Sequence, residues 1–140
     1  MSDDPHNLQR FVDAQRSTYD QALAELMAGR KHSHWMWFIF PQIAGLGHSA
    51  MAQRYAITNR DEAAAYLQHP VLGPRLEECT TAMLRHAGRS ARQILGSPDD
   101  MKLRSSMTLF DAVTSESAPY REVLELFYGS QPDPATLARL

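Results

Sequence analysis

Leu8, Phe11, Val12, Gln15, Tyr19, Ala22, Leu23 and Leu26 recur at spacings of three and four, the period of a helix with one apolar stripe. Gly29 follows where a left-handed cap would sit, so the pattern predicts a single amphipathic first helix. Residues 49 to 57 suit a short helix, and Asn59-Arg-Asp-Glu62 has capping-box spacing ahead of an alanine-rich helix ending near His69-Pro70. The next stripe, Leu76, Cys79, Met83 and Leu84, predicts a helix from about Pro74 to His86, stopped by Gly88.

A short turn from Ser90 to Leu95 ends at Gly96. Ser97-Pro-Asp-Asp100 then combines an N-cap, a proline at the first helical position and two acids against the helix dipole. The helix it opens carries Met101, Leu103, Met107, Leu109, Phe110 and Val113. A further helix starts at Ser117-Ala-Pro119, turns Tyr120, Val123, Leu124 and Phe127 inward, and stops at Gly129. Asp133-Pro134 suits a final turn packed by Leu137 and Leu140. No segment alternates as a strand would. Trp35 to Phe40 is the exception in composition, with β-favouring residues that leave its local state open; Pro41 stops any helix there, and Gly45-Leu-Gly47 permits a tight bend. The expected fold is all-α, a single compact domain over residues 1–140 with about six to eight helices and one irregular aromatic and glycine-rich segment.

Composition narrows the class of function. Charged residues make up 21% and hydrophobic ones 44% of 140 residues, and the net charge of -2 offers no general attraction to nucleic acid or an anionic membrane. Neither partner is expected. The single Cys79 excludes an intrachain disulfide and suits a reducing compartment. The opening Met-Ser-Asp-Asp-Pro lacks the basic and apolar regions of a secretory signal, and the longest wholly apolar run, Trp35 to Phe40, falls far short of the ~20 residues of a membrane span. A cytoplasmic location is the expectation.

Chemistry concentrates in residues 31 to 42, Lys-His-Ser-His-Trp-Met-Trp-Phe-Ile-Phe-Pro-Gln. Trp35 and Trp37 could stack a flat ligand or form the core, while Phe38 and Phe40 read as core. Only two of the fourteen cationic side chains are lysines, Lys31 and Lys102. With the amides of Gly45 to Gly47 and the hydroxyls of Ser105 and Ser106, they describe an anion pocket, to which Arg54 and Arg75 could add clamps. Solvated lysines and serines bonded back to their own helix are the plainer reading of the same residues. No phosphate-binding loop of the Gly-x-x-x-x-Gly-Lys type and no Gly-x-Ser-x-Gly elbow is present. His32, His34 and His48 invite a metal reading, since His-x-His on an extended segment turns both imidazoles to one face, but no His-Glu-x-x-His or carboxylate triad lies nearby, and neither metal nor cofactor is expected. His34 and Asp100 are the candidates for acid–base work, although Asp99 and Asp100 are also ordinary first-turn helix residues.

Phe11-x-x-Ala-Gln15, Gly29-x-Lys31-x-x-His34-Trp-Met-Trp-Phe-Ile-Phe-Pro-Gln42, Gly45-Leu-Gly47, Tyr55-Ala-Ile57, Leu72-Gly-Pro-Arg-Leu76 and Asp100-x-Lys102-Leu-x-Ser-Ser-Met-Thr-Leu-Phe110 resemble, nearly end to end, a bacterial family known as domain of unknown function 1810. The resemblance implies a mainly helical fold and supplies no catalytic residues to carry over. Some members bear the label calpastatin, a disordered repeat protein whose composition and repeats this chain does not have.

The residues together point to a pocket for a small anionic, nucleotide-like or ribosyl-phosphate-like metabolite. Lys31, Lys102 and Arg54 would hold the anion, Trp35 and Trp37 would stack, and His34, Gln42, Ser105 and Ser106 would hydrogen-bond. Hydrolysis of an N-glycosidic bond would suit this set, by analogy alone with other helical enzymes. The alternative is a non-enzymatic protein-interaction module using exposed tryptophans as a hot spot.

Overall fold

The computed structural model describes residues 3–115 and 119–140. Among them run ten helices: α1 (Gln9–Arg16), α2 (Tyr19–Ala28), α3 (Met36–Ile39), α4 (Ala50–Arg54), α5 (Arg60–Gln68), α6 (Leu72–Leu84), α7 (Ala91–Leu95), α8 (Asp99–Val113), α9 (Tyr120–Tyr128) and α10 (Pro134–Leu137). The all-α expectation holds, and among the described residues no strand forms. A lone parallel bridge joins Ile43 to Ile57. The count exceeds six to eight because four of the helices are only four or five residues long and the first predicted helix is two.

That break has a physical cause. Ser17 and Thr18 are poor helix formers, and the Thr18 amide bonds to the Gln15 carbonyl at 3.0 Å in a tightened last turn. The two halves then pack on different partners, α1 on α3 and α2 on α6. Gln15, on the apolar stripe, is buried with its carboxamide donating to the Phe38 carbonyl at 2.7 Å and the Tyr66 hydroxyl at 3.1 Å, so its polar group is satisfied where water cannot reach. Gly29 caps α2 at φ +74°, as its place in the pattern predicts.

Helix α6 begins two residues before Pro74 because His69 Nδ1 accepts from the amides of both Val71 and Leu72. Proline is tolerated inside that first turn, where its missing N–H has no intrahelical partner to lose. At α8 the expected cap is displaced by one residue. Pro98, not Ser97, is the N-cap, and the Asp100 amide bonds back to the Gly96 carbonyl. The predicted start of the next helix at Ser117-Ala118 lies outside the described residues; α9 is described from Tyr120. In α10 it is Thr136 that is buried, whereas Leu137, expected to pack, is exposed.

Helix α8 is the axis of the molecule, in contact with α5, α7, α9 and α10. Residues Ser105 to Phe110 are buried without interruption, which requires neighbours on every side of the helix. Rings of Tyr55, Phe11, Tyr66, Phe110 and Tyr120 follow one another through the core at centroid distances of 5.1 to 6.1 Å. This scaffold fixes where the segment 31–47 lies. No described helix is long and apolar enough to cross a membrane.

Candidate functional site

The aromatic segment enters the fold through one carboxylate. Glu25, buried on α2, accepts from the amides of His32 (2.7 Å) and Ser33 (2.9 Å), the Ser33 hydroxyl (2.7 Å), the Gln21 carboxamide (3.1 Å) and the Trp35 indole N–H (3.1 Å). Burial by itself would raise this carboxyl. The donated hydrogen bonds of His32, Ser33 and Trp35 outweigh it and hold the pKa down at about 2. Trp35 is thereby locked in the core at 0% exposure. The Lys31 amide adds a bond of 2.8 Å to the Ile94 carbonyl at the end of α7.

Both lysines converge on Asp99 at the start of α8. Lys31 Nζ lies 2.9 Å from Asp99 Oδ2 with its side chain 8% exposed, and Lys102 Nζ lies 3.6 Å from Oδ1 with its side chain 27% exposed. The ammonium groups also cover the tryptophans, Lys31 over Trp35 at 5.1 Å and Lys102 over Trp37 at 5.2 Å from the ring centroids. Two stretches some seventy residues apart in sequence therefore share one site. Its three charged groups sum to +1, with Lys102 the looser and more accessible of the two cations.

Beyond Trp37 the chain turns at Pro41 and runs beside residue 57. The Ile57 amide donates to the Gln42 carbonyl and the Ala44 amide to the Ile57 carbonyl, each at 2.8 Å. Gly45 then bends at φ +98°, and a Cβ there would meet Arg139 Nε at 2.8 Å, so the backbone conformation favours glycine, while the Arg139 side chain could shift to admit a Cβ. The bend and α4 enclose a cavity of about 190 Å³ lined by Trp37, Gln42, Gly45, Gly47, Gln53 and Tyr55 with neighbouring apolar groups. No acidic residue lines it. The Gln42 carboxamide is half-buried and has no hydrogen-bond partner among the described residues. Three cations that do not line it contact residues that do: Lys102 on Trp37, Arg54 on Tyr55 at 5.6 Å, and Arg139 on the Gly45 carbonyl at 3.5 Å.

The remaining predicted residues have other surroundings. His34 is exposed and is not among the residues lining the cavity. Arg75 covers the Tyr19 ring and donates to Gln15. Ser105 donates to Asp133 Oδ2 at 2.7 Å, Thr136 donates to the same oxygen at 2.7 Å, and Thr108 accepts the Asp133 amide at 2.9 Å. The hydroxyl stripe of α8 thus clamps the cap of α10. Burial would raise the Asp133 carboxyl, but the bonds from Ser105 and Thr136 hold it below its ordinary value. Ser106 Oγ and Asp100 Oδ1 are buried without partners, and the Asp100 carbonyl accepts from the Tyr128 hydroxyl. Cys79 is buried in α6, which pushes its thiol up to about 12 and makes it a poor nucleophile. Among the described residues no group of three His, Cys, Asp or Glu side chains could hold a metal ion.

Five residues that shape this region escape the sequence reading. Tyr55 stands inside one of the quoted motifs without a chemical signal of its own, and Gln53 carries none. Glu25, Asp133 and Arg139 act over separations of seven to ninety-four residues, which no local pattern displays.

Residues 5–140 match the family model described as protein of unknown function (DUF1810). The crystal structure of the conserved hypothetical protein Rv1873 from Mycobacterium tuberculosis, at 1.38 Å, is similar with a TM-score of 0.96 at 51% identity, over 98% of each chain. No curated protein matches the chain.

Proposed function

The chain belongs to the DUF1810 family, and we propose that it binds a small anionic, nucleotide-like or ribosyl-phosphate-like metabolite at the cavity beside Trp37. The observation that carries this reading is the charge distribution around that cavity. Its lining holds no acid, while Lys102, Arg54 and Arg139 press on its walls, and low-dielectric walls strengthen the resulting field inside. Larger grooves suit an anion less. The one between α2 and α6, about 410 Å³, carries Glu77 and Glu78. The one that includes Arg54, about 430 Å³, has as its other cation Arg10, already paired with Glu62 at 2.7 Å.

At about 190 Å³ the cavity is smaller than the ~300–1,000 Å³ of sites that enclose whole drug-sized ligands. It would take one ring or head group and leave the rest of the metabolite outside, toward Lys102. His34 and Asp100 are not among its lining residues, so the reading is one of binding rather than of hydrolysis. A tryptophan-rich docking surface is supported less, since Trp35 is wholly buried and only Trp37 is partly accessible.

A thermal-shift screen against nucleotides, ribosyl phosphates and small phosphorylated metabolites tests the proposal. A ligand at 100 times its dissociation constant should stabilise the protein by ~2.7 kcal/mol, and Trp37→Leu should abolish the shift. Silence across the library, or shifts that survive Trp37→Leu, would contradict it.

A further inference from the structure

The two aromatic rings that wall the cavity each carry a cation, Lys102 on Trp37 and Arg54 on Tyr55, and neither cation is among the residues lining the space. An aromatic face ordinarily presents negative potential, which attracts cations and repels anions and electron-rich rings. A cation held against the ring without entering the lining opposes that potential at short range. Both walls are altered in the same sense. The Gln42 carboxamide, also in the lining, is half-buried without a partner among the described residues, and the Gln53 carboxamide donates to the His48 carbonyl. The space is thus bordered by two aromatic rings, free of charged groups in its lining and biased positive by the cations beside those rings.

Accepting that this cavity is the ligand site, we infer that the part of the metabolite entering it is a planar aromatic ring bearing a negative charge, an aryl or heteroaryl carboxylate, with any sugar-phosphate part left outside. A sugar phosphate alone carries no flat face for Trp37 and Tyr55. A neutral ring would stack but would gain nothing from Lys102 and Arg54. The Gln42 carboxamide is free to donate to the carboxylate.

Isothermal titration of the full chain at low salt with nicotinate, nicotinamide and ribose 5-phosphate separates the alternatives, because the first two share a ring and differ in charge. Nicotinate should bind at least tenfold more tightly than either of the others. Lys102→Met and Arg54→Met should each weaken nicotinate threefold or more and leave nicotinamide unchanged; Trp37→Leu should abolish binding and Trp37→Phe should retain it, with circular dichroism showing each variant folded. Equal affinity for nicotinamide would overturn the charge preference. Binding of ribose 5-phosphate with nicotinate silent would overturn the aromatic ligand and leave the anion site standing, whereas silence from all three would remove both.

Discussion

Trp35 and Trp37 stand two residues apart, each under a lysine ammonium at nearly the same distance, yet they belong to different parts of the molecule. Trp35 and the lysine over it are both paired. Its indole N–H bonds to Glu25, and Lys31 bonds to Asp99 at 2.9 Å. Around Trp37 the ring is half-buried, Lys102 is only loosely held by Asp99, and Gln42 has no partner among the described residues. The difference teaches that aromatic density alone does not mark a site. What marks it is unspent hydrogen-bonding and charge capacity beside an accessible ring, and only the second tryptophan has that.

Truncation should break the two apart most clearly. Trp35→Ala removes a wholly buried ring and leaves Glu25 short of a donor, so urea unfolding should register a loss of about 3–5 kcal/mol. Trp37→Ala should lose about 1 kcal/mol or less. Equal losses would erase the distinction. Next in size, Glu25→Gln should cost about 2 kcal/mol, the scale of hydrogen bonds to a charged acceptor.

Glu25 also sets an acid limit. Its folded pKa of about 2 lies below the ordinary 4.5, so its contribution is fully present above pH 4.5 and is lost as pH falls from there toward 2. Stability of the native protein measured across that window should fall more steeply than that of Glu25→Gln; parallel curves would refute the role. The lysines should then separate by a smaller margin. Lys31→Met, removing the mostly buried partner of Asp99, should cost about 1–2 kcal/mol, and Lys102→Met about 0.5 kcal/mol or less. Smallest in reach is Ser105→Ala, about 1 kcal/mol, whose effect should appear in hydrogen exchange as faster opening of α10 while segment 31–47 keeps its protection.

Most of the scaffold was legible because its signals are local. The Gly29 cap, the Asn59 and Ser90 starts and the inward stripe of α8 depend on neighbours within one or two turns. The break at Ser17-Thr18 was not, since it reflects α1 and α2 packing on different partners, and an uninterrupted stripe hides that. At the site, the meeting of Lys31, Lys102 and the tryptophans was readable from rarity and clustering of residue types. Which of them pack and which remain available was not. Burial of Trp35 depends on Glu25 from another helix, and the Ser105 hydroxyl is taken by Asp133 from the far end of the chain.

The claim at the centre is that Trp37 faces a ligand while Trp35 holds the fold. With only two tryptophans in the chain, a heteronuclear NMR spectrum displays two indole N–H signals, assignable with Trp37→Phe. Titration with nicotinate should shift the Trp37 signal progressively and leave the Glu25-bonded Trp35 signal in place. Movement of Trp35 with Trp37 fixed, or of neither with nicotinate or with ribose 5-phosphate, would contradict the account.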